Sequence, residues 1–264
     1  MYDFSYKRPT SLSDAAEMSE QAEDGSFLAG GMTLIPALKL RLASPSILID
    51  LGGVQDLTGI SQENNTLTVR AMTKHADVAV SSEVKNAIPA LSEVAESIGD
   101  PQVRNRGTIG GSISNADPAA DYPAALLGLG ATVETNSRTI GSDDFFTGLF
   151  GTALNANELV VAVHFPIPKR AVYMKFPNPA SRYAIVGVMV AECSDEIRVA
   201  VTGAGPSVFR VFEMEEALQK NFSPNSIQDM IVSADGLNED MHASADYRAH
   251  LITVMAKRAV AKLI

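Results

Sequence analysis

The sequence predicts an α+β fold, and three patterns carry that reading. A compact strand–helix–strand unit occupies the N-terminal segment and ends at Gly52-Gly53. A hairpin and further short β-rich runs follow it, among helices. A pair of long apolar strands then leads into a mainly helical tail. With 264 residues, 46% of them hydrophobic and 20% charged, the chain has room for one large or two modest domains.

The elements follow in order. Ser11 or Ser13 is placed to cap a helix over Ser11–Met18. Ser26–Ala29 reads as a short strand and Leu34–Leu42 as a helix, where Pro36 is acceptable because it falls in the first turn. Ser46–Leu51 is a second buried strand. Leu57–Ile60 and Thr66–Ala71 flank Glu63-Asn64-Asn65 as a hairpin. Helices are expected over Lys74–Ser81 and Ile88–Ser97, and another after Asp121, a good N-cap followed by an early proline. Ala131–Thr135 and Leu159–Phe165 are further strands, and Pro166–Arg170 marks a boundary. Tyr183–Ala191 and Ile197–Gly203 form the strand pair, and the tail closes with a helix over Asp246–Leu263.

Composition removes several function classes. A net charge of −10, with 21 Lys and Arg against 31 Asp and Glu, is the wrong balance for a nucleic-acid partner. No apolar run approaches a membrane span, and the first residues lack the apolar core of a signal peptide. The single Cys193 excludes an intrachain disulfide and any all-cysteine cluster, and it reads as a small core residue. His75, His164, His242 and His250 show no metal-ligand spacing, and His75 reads as structural or surface-exposed. Asp143-Asp144 reads as a helix start rather than an acid/base pair. These features predict a cytoplasmic protein whose redox chemistry, if any, comes from a bound cofactor.

Two glycine-rich stretches stand out, Ala29-Gly30-Gly31-Met32-Thr33 and Thr108-Ile109-Gly110-Gly111-Ser112. Each offers closely spaced backbone N–H groups beside a hydroxyl, which is what binding a diphosphate by main chain requires. The first has neither the Rossmann nor the P-loop spacing, and taken alone it is better explained as a tight turn requiring positive φ. The second lies within Val103–Asp121, a long stretch of glycines, hydroxyls, amides and two carboxylates, which is uncommon for a purely structural loop. For Asp121, a role as a helix cap alone stays open beside a functional one.

Ala29-Gly30-Gly31-x-Thr33, the run Gly99–Ser112 and Ala116-Asp117-Pro118-Ala119-Ala120-Asp121 together resemble the flavin subunit of the molybdenum hydroxylases. This is the xanthine dehydrogenase and aerobic carbon monoxide dehydrogenase family, and its medium subunit is the best match. The likeness extends to Leu48-Ile49-Asp50, Thr73-Lys74-His75-Ala76 and Ser244–Arg248.

The resemblance implies an FAD-binding domain over 1–170, of the vanillyl-alcohol oxidase-like (PCMH) type, with subdomains of about 1–55 and 56–170. A smaller α+β domain of the carbon monoxide dehydrogenase flavoprotein type follows over 171–264. It implies that Ala29, Gly30, Gly31, Met32, Thr33 and Leu34 wrap the FAD diphosphate. Thr108, Gly111, Ser112 and Asn115 belong to a second cofactor loop, where Asp121 adds a hydrogen bond. Leu159 or Val160 lies against the isoalloxazine or adenine, Tyr183 places an aromatic ring near the flavin, and Lys175 is a cation that stabilises the reduced flavin.

The implied partners are a molybdenum-cofactor large subunit and a small [2Fe–2S] subunit, in a heterotrimer that dimerises. Electrons reach the flavin from the clusters and leave to NAD, a quinone or oxygen. The chain departs from the pattern at Met32, where a polar residue is usual, and at Arg182, where an acid is expected before Tyr183. Pro177 and Pro179 add to the departures. Two alternatives stay open. A stand-alone FAD oxidoreductase would need its own acid/base set, which the motifs lack. A non-catalytic assembly subunit would stay colourless with added FAD, and the intact glycines argue against it.

Overall fold

The computed structural model describes residues 1–264. The N-terminal unit runs β1 (Ser5–Lys7), α1 (Leu12–Glu20), β2 (Gly25–Leu28), α2 (Leu34–Lys39) and β3 (Ile47–Asp50). Ser11 caps α1 by accepting from the Asp14 N–H. The strands form a parallel sheet in the order β1-β3-β2. Parallel neighbours cannot be joined by a hairpin, so the chain leaves β2 through the first glycine loop and returns through α2. That loop therefore lies beyond the carboxyl end of a parallel strand, the usual position for a ligand loop.

The second unit comprises β4 (Ile60–Glu63), β5 (Thr66–Arg70), α3 (His75–Val80), α4 (Ser82–Ala87), α5 (Pro89–Ser97), α6 (Pro101–Arg104), α7 (Ile109–Asn115), α8 (Tyr122–Leu129), β6 (Thr132–Thr135), β7 (Thr139–Gly141), α9 (Ser142–Phe145), β8 (Phe146–Gly148), β9 (Gly151–Thr152) and β10 (Val160–Pro166). Its five-stranded antiparallel sheet has the order β4-β5-β10-β6-β7, and β8–β9 is a separate ribbon. The predicted hairpin is present, turning at Asn64 with φ 51°, although its first strand begins at Ile60 rather than Leu57.

Two expected helices over 74–97 are in fact three. Ser81 adopts an extended ψ of 130° and caps a new helix through Val84 N–H, and Ile88 is held extended by the proline after it. The second glycine stretch is largely helical rather than a loop, with α7 capped by Thr108 Oγ1 accepting from Gly111 N–H.

The C-terminal unit contains β11 (Arg170–Pro177), β12 (Ala184–Glu192), β13 (Ile197–Thr202), β14 (Phe209–Arg210), α10 (Phe212–Lys220) and α11 (Ala245–Leu263). Its antiparallel sheet has the order β11-β12-β13-β14. The predicted pair forms its centre, while β11 and β14 were not foreseen. The tail is less helical than expected, since 221–244 holds only a 3-10 turn at Pro224–Ser226.

The two faces of this sheet serve different cores. Val186, Val188 and Val190 point to one side with Leu251, Ile252, Met255, Ala256, Ala259 and Val260 of α11. Met189 and Ala191 point to the other, into the core that holds the whole of α8. Alternation along a strand makes this possible, and Gly128 lets α8 approach: a Cβ there would lie 2.4 Å from Met189 Cγ. Continuous burial of β12 and all-round burial of α8 have one cause: both are sandwiched between units.

Candidate functional site

A cleft of about 660 Å³ opens where the three units meet, a size within the range of small-molecule and cofactor sites. The first glycine loop forms one wall. Gly31 has φ 73°, which only glycine adopts cheaply. Gly30 backs directly onto the second unit, since a Cβ there would sit 2.2 Å from Arg106 O. The structural and functional readings of these glycines are therefore not alternatives: they allow the close approach that brings both glycine stretches to one cleft.

The two stretches differ in what they present. The backbone N–H groups of Ala29, Gly30, Gly31, Met32 and Thr33 donate to no acceptor in the protein. In the second stretch Ile109 donates to Thr73 O, Gly110 to Ala71 O, Gly111 to Thr108 Oγ1 and Ser112 to Thr108 O. The expectation of free amides in both stretches holds only for the first, because the second has closed into a helix. What α7 offers instead is side chains: Ser112, Ser114 and Asn115 line the cleft and make no internal side-chain hydrogen bond. Unpaired donors over an open rim fit a diphosphate, and free hydroxyl and amide groups fit a ribityl or ribose chain.

Of the residues singled out from sequence, Leu34, Thr108, Gly111, Asp121, Leu159, Val160 and Tyr183 also line the cleft with the first loop. Lys175 does not. Its Nζ is buried behind the wall, 2.8 Å from Asp121 Oδ2 and 3.3 Å from Ser97 O. Asp121 does not cap α8 and makes no bond within its own loop. Its carboxylate accepts from Tyr173 Oη at 2.6 Å and from Lys175, both on β11. The reason is local: Pro123 removes one of the N–H groups that a cap would bind, and a buried carboxylate gains more from a cation. Burial raises the Asp121 pKa and Lys175 opposes the rise.

The C-terminal sheet holds this loop from behind. Thr202 Oγ1 donates to Pro118 O and Ala120 O, Gly203 N–H to Pro118 O, and Ala184 N–H to Ala119 O.

Sequence reasoning missed His75 and Glu158, which both line the cleft. His75 is only 4% exposed, so of its two sequence readings, structural or surface-exposed, the surface one falls. Burial, helped by Arg104, lowers its pKa to about 4, so it is neutral at pH 7, and its Nδ1 has no partner. Gly107 packs against its ring, a contact between residues 32 positions apart that no local sequence pattern indicates. Glu158 accepts from Arg138, Thr135, Ser137 and Asn155, and Arg138 chiefly holds its pKa down to about 2. Cys193 is half-buried, and burial pushes its thiol pKa up, which suits a packing role.

Fold and cleft thus define a three-unit α+β protein with an open cleft bordered by main-chain N–H groups that have no acceptor in the protein. Residues 2–168 match the family model of the FAD binding domain in molybdopterin dehydrogenase. Residues 171–263 match the CO dehydrogenase flavoprotein C-terminal domain. The chain belongs to the flavin-binding medium subunits of the molybdenum hydroxylases, the carbon monoxide dehydrogenase and xanthine dehydrogenase family, and is an oxidoreductase subunit with FAD as the family cofactor.

It is 34% identical over 272 residues to the glyceraldehyde dehydrogenase medium chain of Sulfolobus acidocaldarius, covering 97% of each chain. It is 34% identical over 269 residues to the nicotine 6-hydroxylase medium subunit of Paenarthrobacter nicotinovorans, covering 97% of this chain and 95% of that one. A chain of reconstituted CO dehydrogenase from Oligotropha carboxidovorans superposes with a TM-score of 0.92 at 30% identity, over 98% of this chain and 97% of that one.

Proposed function

We propose that this chain is the FAD-carrying electron-transfer subunit of a molybdenum-containing dehydrogenase. It takes electrons from a small [2Fe–2S] subunit and passes them to an external acceptor: NAD, a quinone or oxygen. The third partner is a molybdenum-cofactor large subunit where substrate is oxidised, and the heterotrimer dimerises. No helix is long and apolar enough to cross a membrane, and a cytoplasmic complex is the setting proposed. The observation that carries the reading is the row of unpartnered N–H groups from Ala29 to Thr33, all in residues that line the cleft.

Bound FAD supplies the ability to exchange one- and two-electron steps; the protein supplies binding, orientation and electrostatics. The first loop holds the diphosphate without a lysine. Ser112, Ser114 and Asn115 fix the chain that joins it to the ring, Leu159 and Val160 give an apolar wall, and Tyr183 covers the opening from the C-terminal unit. No side chain here is needed as a general acid or base for the molybdenum reaction.

The test is the visible spectrum of the purified complex, with FAD released on denaturation. Flavin bands that vanish in Gly111→Val support the reading: a Cβ there meets Thr108 Oγ1 at 3.0 Å and Ala29 Cβ at 3.2 Å, at the junction of the two loops. A folded complex with all partners that binds no FAD overturns it, and leaves the assembly-subunit alternative.

A further inference from the structure

With Lys175 committed to Asp121, the charge facing the cofactor must come from elsewhere. The cleft is lined by three carboxylates, those of Asp117, Asp121 and Glu158, and by a single permanent cation, Arg182. Asp121 is neutralised by Lys175 and Glu158 by Arg138. Arg182 has no carboxylate partner; its Nη1 donates to the carbonyl of Gly99 across the cleft mouth, at 3.1 Å.

The segment that carries Arg182 is closely held. Asn178, itself buried, accepts at Oδ1 from the N–H groups of Ala180 and Ser181. Its backbone O accepts from Arg182 N–H, and its N–H donates to Tyr183 O. Arg182 sits in the left-handed region with φ 63°, a conformation a long side chain adopts only when its surroundings impose it. The turn thus fixes the Arg182 backbone next to Tyr183 at the edge of the cleft.

We infer that Arg182, rather than Lys175, is the cation that tunes the reduction of the flavin. This rests on the proposed function. Two electrons from the iron–sulfur partner and one proton convert the neutral isoalloxazine to its reduced form carrying one negative charge. A fixed positive charge at the cleft favours that form over the oxidised one. Because Arg182 is solvent-exposed at the mouth, its effect is partly screened.

The experiment is a reductive titration of the assembled, flavin-loaded complex with dithionite and an indicator dye, which reads the two-electron midpoint potential. Arg182→Gln is expected to shift the reduced-to-oxidised equilibrium about threefold to tenfold toward oxidised flavin, a drop of about 15 to 30 mV. Arg182→Lys keeps the charge and is expected to restore most of the potential. The wild-type potential is expected to fall with added salt more than that of Arg182→Gln. An unchanged potential in Arg182→Gln, or an equal shift in Arg182→Lys, overturns the assignment of the charge to Arg182. Wild-type complex that carries no flavin overturns the proposed function itself, a different result from a loaded complex whose potential does not move.

Discussion

Replacing Lys175 with methionine isolates the energetics of the pair behind the cleft. The side chains of Lys175 and Asp121 are 8% and 4% exposed, and Nζ lies 2.8 Å from Oδ2. Methionine retains the aliphatic stem but leaves the carboxylate with only Tyr173 Oη, at 2.6 Å, as partner. Removing one member of a buried ion pair costs about 3–5 kcal/mol, because the remaining charge has neither water nor partner. For a chain of this size that corresponds to a fall in Tm of about 6–20 °C.

The double variant Lys175→Met/Asp121→Asn removes the stranded charge and is expected to recover much of the loss. The pH dependence has a definite sign. Burial already raises the Asp121 pKa above its usual value, and an acid whose folded pKa is raised contributes stability that is present at low pH and lost as pH rises through that pKa. Without Lys175 the pKa rises further, so the deficit of the single variant shrinks as pH falls. Thermal melts followed by circular dichroism, at several pH values, measure all of this. A single variant within 2 °C of wild type by this route, or a deficit that grows toward acid pH, refutes the reasoning.

Gly31→Ala is expected to lose FAD and about 1–2 kcal/mol of stability, since φ is 73° and a Cβ would lie 2.8 Å from Ile35 Cγ1; flavin content and urea melts check both. Tyr173→Phe removes one donor from Asp121 and is expected to cost about 1–3 kcal/mol, read in the same melts. Glu158 contributes stability present above its usual pKa of 4.5 and lost as pH falls toward its folded value of about 2. Acid unfolding of Glu158→Gln is therefore expected to show a smaller decline over that window than wild type. Asp143 bonds the buried Arg198 with Nη2–Oδ1 at 2.6 Å and ties the second unit to the C-terminal sheet. Asp143→Ala is expected to loosen the C-terminal unit, seen as faster hydrogen exchange in β13 and β14.

Where local chemistry decides, the sequence was legible. Ser11 caps α1, Pro36 lies in the first turn of α2, the Asn64 hairpin turns as read, and β12–β13 pair as their apolar runs indicated. The boundaries at Ser81 and Ile88 were legible in a serine and an X-Pro step, while the six-residue helix between them, Ser82–Ala87, was not read because so short a polar segment carries little periodicity. The first glycine loop was read for its amides, and these are free. The same logic failed for the second, because glycines with a threonine before them serve equally to start a helix, and the partners of its N–H groups, Thr73 O and Ala71 O, lie more than 30 residues away in sequence.

By itself the sequence determined the family, the α+β class and most of the residues that line the cleft, because glycine, proline and hydroxyl spacing act through neighbours a few positions apart. Only the tertiary structure decided which charges line that cleft and which lie paired behind it. Asp121 read as a helix cap and Lys175 as a flavin cation, yet 54 positions apart they close on each other. The pairing of buried charges depends on distance in space and on the exclusion of water, and neither is encoded in the spacing along the chain. Packing β11 against the loop neutralised the lysine behind the cleft and left Arg182 as the cation at its mouth.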